Sequence, residues 1–301
     1  MKKVTPPYLK KGDEVAFVSP AFAIVRQQIE DAAKYLDKWG LNVRFGKYVF
    51  EKEGPFAGND LQRLDDIQSM IDDEKIKAIL FTRGGYGALR LIDKIDFSSL
   101  IEYPKWFVGF SDITVFHLWI NELYGMETIH GEMPLNYMNT NKLPICMESL
   151  HDTLFGKAKS IEWEGNTIRP ANVSGEIVGG NLSLIYSLIG SLADINTDGK
   201  ILFIEDVGEQ YYHVDRMLTS LKLAGKLSNL KALLVGGFTK MSDTTSPWNK
   251  TIEDIVKEKT AEYDYPVYFN FPAGHQSDNR AFYLGREVSL SAGDKFVLKY
   301  R

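Results

Sequence analysis

Trp106-Phe107-Val108-Gly109-Phe110-Ser111-Asp112-Ile113-Thr114 joins two patterns with no room for a loop between them. Trp106 to Gly109 is the apolar run of a buried strand, and Val115-Phe116-His117-Leu118-Trp119-Ile120 continues as a helical pattern. A serine on so abrupt a strand-to-helix turn is held out of the sheet with helix amides beside its oxygen. That is the geometry of a nucleophile elbow, and a hydroxyl needs such help because it is a weak nucleophile unaided. The same residues also fit a Ser/Asp helix cap.

Strands and helices alternate on the N-terminal side of this turn. Glu14 to Pro20 reads as a short buried strand, Ile24 to Trp39 as a helix stopped by Gly40, and Leu41 to Phe45 as the next strand. A helix through Leu61 to Ile71, a strand at Ala78 to Thr82 and the glycine loop Arg83-Gly84-Gly85-Tyr86-Gly87 then lead to the serine strand. Such alternation predicts an α/β fold built on a doubly wound, mostly parallel sheet, whose ligand crevice lies at the carboxyl ends of the strands. The glycine loop and Ser111 both fall at such ends.

Periodicity weakens between residues 135 and 170, where Pro144, Gly156 and Gly165 punctuate the chain. This stretch is the expected linker between an N-terminal domain, 1–134, and a C-terminal domain, 171–301. The second domain reads as mixed α/β and rich in strands. It holds Ser174 to Val178, Gly179-Gly180-Asn181 with an apolar helix from Leu182 to Leu188, and Lys200 to Asp206 ending on carboxylates. Helix Val214 to Leu223 and strand Leu233 to Phe238 follow, and strand pairs close the chain at Phe282 to Leu284 and Glu287 to Tyr300.

Composition excludes several classes. The chain has 301 residues, with 44% hydrophobic and 25% charged, so a sizeable core is available and disorder is disfavoured. A net charge of −5 with dispersed basic residues argues against nucleic acid and anionic membranes as partners. The single cysteine, Cys146, cannot form an intramolecular disulfide or a cysteine zinc site, and reads as a buried apolar residue. No apolar run follows Met1-Lys2-Lys3, and no stretch approaches a membrane span, so a cytoplasmic location is expected. The five histidines show no metal-binding spacing, and no metal or cofactor is expected.

Three strand-end features carry candidate chemistry. Gly84-Gly85 either makes a tight turn or offers bare amides to an oxyanion. Glu205 ends a run that otherwise reads as buried, so it needs a hydrogen-bonding or ionic partner, structural or catalytic. His275 follows a strand-to-loop break at Phe271-Pro272-Ala273-Gly274. Together Ser111, Glu205 and His275 supply nucleophile, orienting acid and general base, in the chain order of the α/β-hydrolases. An α/β-hydrolase esterase is disfavoured because Ile113 stands where Gly-x-Ser-x-Gly has its second glycine. A non-catalytic nucleotide or sugar binder is the remaining alternative class.

In five ordered motifs the chain resembles the LD-carboxypeptidases, a family that includes muramoyltetrapeptide carboxypeptidases and microcin immunity proteins. The motifs are Arg83 to Gly87, Gly109 to Thr114, Gly179-Gly180-Asn181-Leu182, Glu205-Asp206 and Gly274-His275. The resemblance spans essentially the whole chain. It implies Ser111 as nucleophile, His275 as general base, Glu205 as its orienting acid, and an oxyanion hole from the backbone amides of Gly85 and Asp112. A carboxypeptidase must also bind a free terminal carboxylate, for which Arg83 is the candidate, with Asn181 as a further substrate contact. The implied fold is a flavodoxin-like N-terminal domain plus a C-terminal domain mixing β-structure and helices, usually homodimeric, with the site between the domains. The implied reaction hydrolyses an L,D-peptide bond in a peptidoglycan fragment, releasing the terminal D-amino acid. The alternative is a microcin-type amide hydrolase acting on aminoacyl-nucleotide conjugates, with Trp163, Trp248 or Tyr211 as a platform for the base. Arg280-Ala281-Phe282-Tyr283-Leu284-Gly285 departs from the Leu-Pro-x-Gly often found after the family histidine, a difference that falls beside the pocket of His275.

Overall fold

A computed structural model describes residues 3–301; Met1 and Lys2, part of the N-terminal segment read above, lie outside the described residues. The chain divides into two compact units. One runs to Ala158 and takes in Arg280–Tyr283, and the other comprises Lys159–Asn279 and Leu284–Arg301.

In the first unit β1 (Glu14–Val18), α1 (Arg26–Asp37), β2 (Asn42–Phe45), α2 (Asp60–Asp72), β3 (Ile76–Phe81), β4 (Trp106–Gly109), α3 (Thr114–Tyr124), β5 (Thr128–His130) and α4 (Pro144–Leu154) follow one another. Strands β1 to β5 pair in the order 2-1-3-4-5, every pairing parallel. This is the flavodoxin-like doubly wound order, whose ligand crevice lies at the β1/β3 switch point. The central strands read as continuous apolar runs because both their faces are covered. Helix α2 starts with a capping box, in which Asn59 Oδ1 accepts the Gln62 N–H at 3.0 Å and Gln62 Oε1 accepts the Asn59 N–H at 2.9 Å. Its far end is closed by buried Lys105, whose Nζ donates to the carbonyls of Met70, Ile71 and Asp73 at 3.0, 2.6 and 2.9 Å.

The second unit contains β6 (Ser160–Trp163), β7 (Thr167–Ile168), β8 (Val173–Asn181), α5 (Leu182–Ser187), β9 (Ile201–Val207), α6 (Tyr211–Leu223), β10 (Ala232–Thr239), α7 (Ile252–Lys259) and β11 (Val267–Tyr268). After β12 (Phe282–Leu284) come β13 (Arg286–Ala292) and β14 (Phe296–Tyr300). The second sheet runs β6-β14-β13-β8-β9-β10-β11-β7, parallel from β8 to β11 and antiparallel on both flanks. The mixed, strand-rich second half is therefore as expected. The C-terminal strands divide between sheets: β12 lies beside β5 in the first, and β13 and β14 pair in the second, separated by Gly285 at φ +83°.

The stretch 135–170, expected as a linker, holds α4 and then β6 and β7. Pro144 stands in the first turn of α4, where its missing N–H costs nothing, so it starts a helix rather than breaking one. Cys146, Met147, Leu150 and Leu154 bury one face of that helix. The division between units accordingly falls between Ala158 and Lys159, and residues 280–283 return to the first unit. Among the described residues no helix is long and apolar enough to cross a membrane.

Candidate active site

Ser111 has φ +65°, in the left-handed region that residues with a Cβ rarely occupy. Such a conformation costs about 1–3 kcal/mol and persists only where its surroundings impose it. Here β4 ends at Gly109, where a methyl group would meet the Ile113 side chain at 2.8 Å, and one 3-10 turn leads straight into α3. The N-cap positions of that turn and of α3 fall to Phe110 and Ile113, so Ser111 and Asp112 are not cap residues. The buried Asp112 carboxylate instead reaches back, its Oδ2 accepting the Ala88 N–H at 2.9 Å. Burial pushes Asp112 up to about 6.

The glycine loop lies against the serine. A methyl on Gly84 would sit 3.0 Å from Ser111 Cβ, 3.1 Å from its Oγ and 3.4 Å from the Asp112 nitrogen. The next residue, Gly85, has φ +119°, and a side chain there would overlap the Phe22 ring. Arg83, half-buried at the end of β3, donates from Nη1 to the Ala23 carbonyl at 3.0 Å and stands 5.6 Å from the Phe22 ring centroid. Among the described residues no carboxylate pairs with it, and burial lowers its pKa.

In the second unit Glu205 and His275 meet. Glu205 is 0% exposed, and its Oε2 lies 2.6 Å from His275 Nδ1 while accepting the His275 backbone N–H at 3.1 Å. A carboxylate facing a neutral imidazole accepts the hydrogen of Nδ1, the tautomer that leaves a lone pair on Nε2. Gly274, at φ +103°, makes the approach possible, since a methyl there would lie 2.7 Å from Glu205 Cβ and 2.8 Å from its Oε2. The loop is pinned on either side: Asn279 Oδ1 accepts the Gly274 N–H at 2.7 Å, and Thr239 Oγ1 donates to the His275 carbonyl at 2.6 Å.

Asn181, expected to contact substrate, is 3% exposed and stands in register with Glu205 at the end of β8. Its Nδ2 donates to Glu205 Oε1 at 3.3 Å and to Asp206 Oδ1 at 3.0 Å. Asp206 is pushed up to about 7, first by burial and then by the neighbouring Glu205 charge. Trp163 is buried against Tyr268, Phe271 and Phe296 with its Nε1 donating to the Phe269 carbonyl, so it is core rather than a platform for a base. Among the described residues no group of three or more His, Cys, Asp or Glu side chains is placed to hold a metal ion.

The chain matches the LD-carboxypeptidase N-terminal domain over residues 15–131 and the LD-carboxypeptidase C-terminal domain over residues 174–290. It belongs to the LD-carboxypeptidase family. It is similar to a probable murein peptide carboxypeptidase of Bacillus subtilis (strain 168), 33% identical over 294 residues covering 96% of this chain and 92% of the relative. The murein tetrapeptide carboxypeptidase of Pseudomonas aeruginosa is 30% identical over 286 residues, covering 92% of each. Among solved structures, muramoyltetrapeptide carboxypeptidase from Oxalobacter formigenes matches with a TM-score of 0.87 and 26% identity, over 95% of this chain and 98% of that one. MccF in complex with glutamyl sulfamoyl guanosine shares the fold, with a TM-score of 0.88 and 19% identity over 98% of each chain. Membership makes the protein a peptidase.

Several residues around these motifs had no signal in the sequence. Asn279 and Thr239 are ordinary polar residues until the loop that carries His275 folds onto them. The Gly236-Gly237 pair is the visible signal: the β10–β9 register shifts between Val235 and Phe238, and Gly237 bridges Gly274.

Proposed function

We propose that the protein is a serine L,D-carboxypeptidase that releases the terminal D-amino acid from a murein tetrapeptide. The observation that carries this reading is the 2.6 Å contact between His275 Nδ1 and the fully buried Glu205 carboxylate. Ser111 Oγ attacks the scissile carbonyl carbon and its proton passes to His275 Nε2, leaving a tetrahedral oxyanion. The Gly85 and Asp112 amides stabilise that oxyanion, each worth roughly 3 kcal/mol of barrier if it behaves as measured donors do. The C–N bond then breaks, His275 returns the proton to the leaving amine, and water repeats the sequence on the acyl-enzyme. Glu205 holds the imidazole tautomer and stabilises the imidazolium. Arg83 receives the free terminal carboxylate, a role supported by its lack of a carboxylate partner among the described residues.

The test is release of D-alanine from a murein tetrapeptide, with an all-L tetrapeptide and an aminoacyl-sulfamoyl adenosine alongside. Turnover of the tetrapeptide alone, lost in Ser111→Ala with the fold intact, is the expected result. Turnover of only the sulfamoyl adenosine would move the protein to the immunity type of amide hydrolase, and normal turnover by Ser111→Ala would end the serine mechanism.

A further inference from the structure

We infer that Asp206 is a positioning residue of this peptidase, acting through Asn181 to hold Glu205, and with it His275, in the working orientation; the inference rests on the triad reading above. The argument starts with the Asn181 side chain. An amide nitrogen has two hydrogens, and Asn181 directs one to Glu205 Oε1 and one to Asp206 Oδ1, at 3.3 and 3.0 Å. Its oxygen accepts from Ser183 Oγ at 2.7 Å and from the Leu184 N–H at 3.4 Å as the cap of α5. The amide therefore cannot turn over without breaking bonds at both ends. Its partner Asp206 is itself immobile, 2% exposed, with Oδ2 accepting the Ser183 N–H at 3.0 Å and Oδ1 the Val207 N–H at 2.8 Å. A chain of contacts thus runs Asp206, Asn181, Glu205 Oε1, then Glu205 Oε2 to His275 Nδ1.

Asp206 is a costly choice for a structural role. The neighbouring charges of Glu205 and Glu209 are both negative, and its hydrogen-bond partners are donors that asparagine or serine could satisfy in part. Buried carboxylates side by side are unfavourable unless some other demand holds them there. The demand visible here is Glu205 Oε1: Oε2 is committed to the His275 ring and backbone N–H, among the described residues the donor to Oε1 is Asn181 Nδ2, and Asp206 anchors Asn181.

The test is a double-variant cycle on the full chain, with Asp206→Asn and with Asn181→Ser, which keeps a capping hydroxyl but removes the amide. Each single variant is expected to lower kcat roughly 10–100-fold with KM within about twofold, since misplacement of catalytic groups by tenths of an ångström acts on the rate. The double variant should be no slower than the slower single. In 15N-histidine-labelled protein, the downfield His275 Nδ1–H resonance, assigned by its loss in His275→Gln, should move in both variants. A wild-type kcat in a folded Asp206→Asn variant, losses that multiply in the double variant, or an unmoved resonance would each overturn the inference. If Asp206→Asn does not fold, Asn181→Ser decides by the same rate and resonance criteria. Ser111→Ala and His275→Gln are assayed alongside, because turnover by either refutes the triad itself, whatever Asp206 does.

Discussion

Gly84→Ala separates catalysis from stability at the point where the glycine loop meets the serine. The new methyl would lie 3.0 Å from Ser111 Cβ and 3.1 Å from Oγ, whereas carbon atoms in comfortable contact stand about 3.5–4.0 Å apart. Relief requires a relative movement of roughly half an ångström between the end of β3 and the serine. Gly84 does not have positive φ, so alanine adds no backbone strain there. Overpacking of this size costs about 1–3 kcal/mol, and the stiffer unfolded chain returns about 0.4–1 kcal/mol. A shift of the melting temperature of only a few degrees follows. Catalysis should suffer more: an ångström of misplacement can cost 100-fold, so kcat should fall roughly 10–100-fold. The assay is D-alanine release at saturating tetrapeptide, paired with a calorimetric melt. Gly12→Ala is the control, because Gly12 has φ +92° with nothing within 4 Å of an added methyl, and should lose stability while keeping kcat. A Gly84→Ala enzyme turning over within twofold of wild type would refute the placement of Ser111 against this loop as the catalytic arrangement.

Further outcomes follow from other contacts. Arg83→Gln should lower kcat/KM on a peptide with a free terminal carboxylate by roughly 10–100-fold, the worth of a charge-assisted hydrogen bond, with a smaller effect on its C-terminal amide; equal losses on both would remove Arg83 from carboxylate recognition. Ser111→Gly should melt above Ser111→Ala, since glycine relieves the φ +65° strain, and the reverse order would show that this strain is negligible. Lys105→Met leaves the Met70, Ile71 and Asp73 carbonyls without their donor and should cost about 2–4 kcal/mol by urea unfolding at pH 7. Burial pulls Lys105 down to about 8 from 10.5, so between those pH values the unfolded chain binds a proton that the folded chain has lost. Wild type should therefore gain stability relative to Lys105→Met as pH rises through that window. Asp206 has the opposite sign: raised from 3.8 to about 7, it makes folding hold an extra proton, a contribution present at low pH and lost as pH rises through about 7. Asp206→Asn should accordingly be the more stable protein above pH 7, and chemical unfolding at pH 5 and 8 checks the crossover.

The N-terminal half was legible because parallel strands buried on both faces must be continuously apolar, and helices between them must carry a 3.6-residue stripe. Those two periods placed β1, β3, β4 and α2 to within two residues of their ends, and with them the strand ends bearing Arg83 and Ser111. Helix α4 was missed because Pro144 reads as punctuation from one side and as a helix start from the other, and only burial of Cys146 and Leu150 distinguishes them. The division of the C-terminal strands between two sheets was equally hidden, since local alternation says that a residue is in a strand but not which strand it joins.

From residue order alone came the α/β class, the abrupt serine turn and the candidates Ser111, Glu205 and His275, because each depends on local pattern and residue chemistry. Folding was needed to show why Gly85 and Gly274 are glycines and why Gly84 lies close against the serine, each meeting an atom distant in the chain: the Phe22 ring, Glu205 Oε2 and Ser111 Oγ. It was needed too for the contact of Asn181 with both Glu205 and Asp206, which depends on β8 and β9 lying in parallel register. Close approach and carboxylate burial are properties of packed neighbours, and a sequence pattern contains neighbours only along the chain.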